Sequence, residues 1–207
     1  MSMLRLHYAP RTRAMTALWL LEELGEPYDL VSFDLATKRH KEAEFLALNG
    51  LGKVPVVELD GRAVSELGAI AICLADRFGS LAPAIEDPER GDYLRWCFFS
   101  SAIMEPAICE VFFKWDVPSQ SVAWGSFAQM KDVLEARVSR SDYLLDAGFS
   151  AADVLVASTA RFALLFGALE KGGPIDAYVE RCSAREAFAR ASAIEAREGE
   201  RFPPPQK

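Results

Sequence analysis

The chain has 207 residues, 51% of them hydrophobic and 26% charged, a composition that suits a folded globular protein of one large domain or two small ones. Its net charge of -7 and pI near 5.0, with no basic surplus in either half, argue against nucleic acid as a partner. The four cysteines (Cys73, Cys97, Cys109, Cys182) lie far apart with no Cys-x-x-Cys and no Cys/His cluster. That spacing argues against a redox dithiol and against any metal site, and it fits reduced thiols in the cytoplasm.

In chain order, Leu4–Tyr8 is a short apolar run that reads as a strand, ending in the loop Ala9-Pro10-Arg11. Ala14–Leu24 repeats apolar residues at helical spacing, and Gly25 supplies the stop. Tyr28–Phe33 reads as a second strand, and a charged stretch around Lys38 leads into a short helix near Glu42–Leu48. Val54–Leu59 is a β-branched run, Asp60-Gly61 is a hairpin signal, and Arg62–Ser65 follows as a fourth strand. Glu66–Phe78 is helical again and Gly79 closes it. The order β-α-β-α-β-β-α defines an α/β domain over 1–80. A linker with Pro83 and Pro88 is expected at 81–88, and an all-α domain over 89–207. Helices are predicted near 88–115, 122–145, 151–170, 175–183 and 184–197, with Pro106 kinking the first. The end of the chain, from Arg201, reads as a surface tail with no role in a site. The apolar run at the start is too short for a signal peptide, and charges interrupt the later ones, so no membrane association is expected.

Four motifs give the chain a resemblance to the soluble glutathione transferase family along nearly its whole length. Lys53-Val54-Pro55 opens a strand with a residue that cannot donate to the ladder. In the family the matching Val-Pro bond is cis, so the Val54 backbone would pair with the cysteinyl part of glutathione. Ser65-Glu66-Leu67 opens the third helix. There the resemblance implies that Glu66 meets the α-amino group of glutathione, and that the helix N-terminus takes the γ-glutamyl carboxylate. Leu67 stands where the family has serine, which removes one hydrogen bond to a charged group, worth about 1.5–3 kcal/mol. His40 and Lys53 are similar to basic residues that meet the glycyl carboxylate, and a solvated charge run is the plainer reading of His40. Ser150 and Asp153 form a capping box like the family's buried one, with a role in folding. The resemblance implies a thioredoxin-like N-terminal domain, glutathione as co-substrate, a small hydrophobic electrophile as second substrate and a homodimer.

The catalytic position departs from the family. A thiol of pKa about 8.5 is only a few per cent thiolate at neutral pH, and lowering that pKa by two units takes about 2.7 kcal/mol. By register, the serine or cysteine that does this in several classes falls on Arg11, and the cysteine of another class on Arg13. Thr12 is the nearest hydroxyl and is taken as the catalytic candidate, with Arg13 as electrostatic support; an N-cap of the first helix is its alternative role. Tyr8 is a second candidate, as a thiol donor or as part of the hydrophobic substrate site. Met104, Ile108 and Phe112 share one helical face and are expected to line the wall of that site. Three readings stand together: a transferase, a glutathione-binding protein with little catalysis, and a glutathione-dependent isomerase, dehalogenase or peroxidase.

Overall fold

The computed structural model describes residues 4–204. β1 (Leu4–Tyr8), α1 (Ala14–Leu24), β2 (Asp29–Ser32), α2 (Ala43–Leu46), β3 (Val56–Leu59), β4 (Arg62–Val64) and α3 (Leu67–Phe78) follow in the predicted order. They form a four-stranded sheet ordered β2-β1-β3-β4. β1 and β2 are parallel across the α1 crossover, while β3 runs antiparallel to both β1 and β4. Asp60 and Gly61 both have positive φ (51° and 79°), the backbone a two-residue hairpin needs to follow the strand twist. β3 begins at Val56 rather than Val54 because Pro55 has no N–H for the ladder. Gly25, at φ 71°, ends α1 by turning its N–H back to the carbonyl of Leu21.

The period-2 alternation of β1 divides its side chains between two faces. Leu4, Leu6 and Tyr8 are buried on one of them. On the other, Glu58 of β3 collects His7 Nε2 at 2.7 Å and Arg5 Nη1 at 3.3 Å. Phe45 of α2 packs edge-on against both His7 and Phe33, each with ring centroids 5.7 Å apart, which seats α2 on that face.

The helical remainder comprises α4 (Arg90–Phe98), α5 (Glu105–Phe113), α6 (Phe127–Val138), α7 (Ala151–Leu165), α8 (Pro174–Ser183) and α9 (Glu186–Arg201). α4 and α5 are joined by π-helical turns at Phe99–Met104. Pro106 has no N–H to give the carbonyl of Ala102, and the wider segment lies directly before it. There the Ser100 hydroxyl meets Leu155 O (3.2 Å) and Thr159 Oγ1 (3.0 Å) of α7. By length and composition alone, the run Arg90–Phe113 is apolar enough to cross a membrane, as core helices also can be.

By its contacts the chain divides into two compact units. One holds the residues up to Leu74 together with those from Glu186 onward; the other is Ala75–Arg185. α9 therefore packs with the α/β part. Phe188 sets its ring 4.8 Å from that of Trp19, and Arg190 grips both the carboxylate (2.8 Å) and the carbonyl (2.7 Å) of Glu22 on α1.

In the helical unit Asp153 is fully buried. It accepts from Leu144 N (2.9 Å), Ser150 N (2.9 Å), Ser150 Oγ (3.1 Å) and the Tyr178 hydroxyl (3.0 Å). Burial holds its carboxyl above the ordinary range, and these hydrogen bonds pull it back. The predicted capping box is thus the polar knot that ties the start of α7 to α8 and to the loop before α7.

Candidate functional site

Sheet register gathers the candidate residues at one end. His7 pairs with Val56 and Val57 with Val64, so the end of β1, the entry to β3 and the exit from β4 are neighbours. The amide of Phe33 donates to Tyr8 O (3.1 Å), which keeps the exit of β2 beside them. The loop 9–13, the segment carrying His40, the Lys53-Val54-Pro55 turn and the start of α3 all leave the sheet at this end.

The Val54–Pro55 peptide is cis. Two residues pin the turn in front of it. Asn49, 6% exposed, donates to Lys53 O (2.9 Å) and accepts from Leu51 N (3.0 Å), while Lys41 Nζ donates to the carbonyls of Leu51 and Gly52 (3.0 Å each). Gly52, at φ 57°, is required here: a Cβ would lie 2.5 Å from the carbonyl oxygen of His40. His40 stacks on Phe33 at 6.5 Å, and its Nδ1 is buried with no partner among the described residues. Burial, then the charges of Lys41 and Lys53, push its imidazole below the ordinary value. Lys41 and Lys53 are therefore both brought near His40. The sequence reading missed Asn49, whose only signal was the turn dipeptide Asn49-Gly50.

Glu66 caps α3 through its carbonyl, which accepts from Ile70 N (2.9 Å). Its φ of 65° is unusual for a non-glycine residue, and such backbone is kept where surrounding structure enforces it. Glu66 is exposed and Leu67 half-buried.

The loop before α1 differs from the catalytic expectation. The Thr12 hydroxyl donates to Ala9 O (2.6 Å) and accepts from Ala14 N (3.1 Å), so it closes the first turn of α1 and its proton is already engaged. Arg13 is half-buried beside it, in helical conformation. Arg11, at φ 61°, donates its backbone N–H to Glu195 Oε1 (2.7 Å), and its guanidinium to Gly199 O (3.2 Å) and Phe202 O at the end of α9. A cation on the last carbonyls of a helix is favourable, and this one is held there. The predicted surface tail is thus anchored at Phe202; Pro205, Gln206 and Lys207 lie outside the described residues. Tyr8 is fully buried and its hydroxyl has no partner among the described residues, so it is enclosed rather than lining an open wall.

In the helical unit the expected pocket face is corrected as well. Met104 and Ile108 are core, 0% and 2% exposed, because the helical stripe they share faces inward. Phe112, 38% exposed, is the member that reaches the surface, edge-on to Phe162 and Phe166.

Known proteins resemble the chain in both sequence and fold. Residues 12–77 match the family model described as glutathione S-transferase, N-terminal domain. Glutathione S-transferase 3 of Schizosaccharomyces pombe is 28% identical over 172 residues, 73% of this chain and 70% of that protein. The crystal structure of a glutathione transferase from Methylococcus capsulatus superposes with a TM-score of 0.77 at 28% identity, covering 93% of this chain and 98% of that one. Together these likenesses support a place for the chain in the glutathione transferase family. Its α/β half is the family's thioredoxin-like domain, and a mostly helical remainder follows it. A sphingomonad glutathione S-transferase, solved in complex with glutathione, is also similar: TM-score 0.76 and 25% identity over 93% of this chain and 98% of that one.

Proposed function

We propose that the chain binds glutathione at this end of the sheet and activates its thiol for attack on a small hydrophobic electrophile. One observation carries the reading. Anion-attracting groups lie on both flanks of the Val54–Pro55 backbone: His40 with its orphaned Nδ1 and Lys53 on one, the N-terminus of α3 on the other. A tripeptide with a carboxylate at each end fits that spacing of charge, its cysteinyl backbone lying along Val54 and its amino group meeting Glu66. The thiol then lies at the loop before α1, where the helix dipole favours negative charge. Arg13 adds positive charge there. Phe112, Phe166 and Trp115 are exposed aromatic residues of the helical unit.

The proposal includes a glutathione-binding domain over 1–80, a linker at 81–88, a helical domain over 89–207, a homodimer and a cytoplasmic location. A second reading, glutathione binding with little catalysis, draws support from the engaged hydroxyl of Thr12 and from Leu67. Calorimetric titration with glutathione, paired with a conjugation assay on an activated aryl halide, separates the two. Binding with turnover is the expected result. Binding without turnover of any electrophile leaves the second reading, and a folded sample that takes up no glutathione overturns both.

A further inference from the structure

We propose that Glu195, on α9, accepts the proton of the glutathione thiol and then, as the protonated acid, donates a hydrogen bond to the thiolate. This rests on the thiol lying at the loop before α1, as proposed above. Between residues 3 and 31 the chain has no serine or cysteine. The candidate groups of the loop are engaged elsewhere: the Thr12 proton on Ala9 O and the Arg11 guanidinium on the end of α9. Glu195 reaches the same place from 184 positions away in sequence, its Oε1 lying 2.7 Å from the backbone N of Arg11. Arg11 is the position that aligns with the activating serine or cysteine of related classes, so the carboxylate stands beside the place of the missing side chain.

The state of the carboxylate points to chemistry rather than to a clamp alone. Glu195 Oε2 is buried and has no partner among the described residues. Buried acceptors are nearly always paired, so an unpaired one has room for a partner from outside the chain, a water or a ligand group. A thiol proton is such a group. The helix carrying Glu195 is fixed by Arg190 on Glu22, by Phe188 on Trp19 and by Arg11 on Gly199, and the Arg11 N–H meets the carboxylate itself. Arg11 meets the carboxylate through its backbone N–H, and Glu198 follows one turn along α9. Glu198 is itself paired with Arg197 (3.2 Å) and Arg201 (3.4 Å). Burial raises the Glu195 carboxyl above its ordinary value, against the opposing hydrogen bond from Arg11 N, and this brings it nearer to the thiol it would deprotonate.

In the step, the S–H bond breaks with its electron pair left on sulfur, and an O–H bond forms on Oε2. When sulfur bonds to the electrophile, the leaving group departs with its electron pair. The proton on Glu195 passes to that group or to water, and the carboxylate is restored.

Glu195→Gln keeps an oxygen for the Arg11 N–H and an N–H that can donate to sulfur but cannot take a proton, so it tests proton acceptance apart from clamping. The expected result is glutathione affinity within about threefold of wild type and a thiolate absorbance midpoint raised toward the free-thiol value of about 8.5. Turnover of an activated aryl halide should fall about 100-fold, with partial recovery in Glu195→Asp. A midpoint and a rate equal to wild type overturn the proposal while leaving glutathione binding intact. Difference infrared spectroscopy on the wild type needs no variant to fold. Glutathione should raise a protonated-carboxyl band at neutral pH that S-methylglutathione, lacking the thiol proton, does not raise. Absence of that band also overturns the assignment. A wild type that binds no glutathione at all instead removes the reading of the site beneath it.

Discussion

Asp153 in the helical unit is fully buried and Glu195 in the α/β unit partly so, and burial raises both carboxyls. They differ in how many hydrogen bonds meet them. Asp153 receives two backbone amides and two hydroxyls, so every acceptor position has a donor. Glu195 receives one backbone amide and leaves its second oxygen orphaned. Saturation marks a group whose work is folding, because a satisfied carboxylate has nothing left to offer a ligand. An unsaturated one keeps capacity for a reacting group. A perturbed pKa alone does not tell these cases apart.

The contrast is broken most strongly at its saturated end. Asp153→Ala strips partners from Leu144 N, Ser150 N and the Tyr178 hydroxyl at once. It should lower unfolding free energy by about 4 kcal/mol in urea titrations, or prevent folding. A loss under about 1 kcal/mol would erase the distinction drawn here. Arg190→Ala tests whether α9 must be held for Glu195 to act. The Arg190 side chain is half exposed, so solvent screening limits the direct loss to about 1 kcal/mol. Amide exchange along α9 should quicken, and the thiolate midpoint should rise by less than in Glu195→Gln. An unchanged exchange pattern would show that the other anchors suffice.

Thr12→Ala sharpens the comparison from the other side. It should lose about 0.5–1 kcal/mol as a helix cap and leave the thiolate midpoint where it was. A raised midpoint would return the catalytic role to Thr12. The smallest effect is expected at Glu58. The hydrogen bond from His7 holds its carboxyl below the ordinary value against desolvation, helped by the charges of His7 and Arg5. A depressed folded pKa adds stability above the unfolded value, and that stability is lost as pH falls through the folded one. Glu58→Gln should therefore flatten the melting-temperature profile below about pH 4.5 and leave its slope at neutral pH unchanged.

Much of the fold was legible because the signals are local. The alternation in Leu4–Tyr8, the helical period of Ala14–Leu24, the Asp60-Gly61 turn and the Ser150–Asp153 box each act within a few residues. The glutathione-facing motif was partly legible for the same reason: Lys53, Val54 and Pro55 are contiguous. Met104, Ile108 and Phe112 were misread as one wall because periodicity reports a shared face and not the depth to which each turn is buried. His40 was ambiguous in a charge run until Phe33 and Gly52 closed around it.

By itself the sequence determined the order of strands and helices, their turns and caps, and the absence of a family-type hydroxyl or thiol at positions 11 and 13, since these depend on neighbouring residues. Only the tertiary structure decided that α9 returns to α1, that Arg11 is drawn to the end of that helix and that Glu195 arrives beside its backbone. An amphipathic helix shows that one face will be buried. Which surface buries it is settled by the packing of the whole chain.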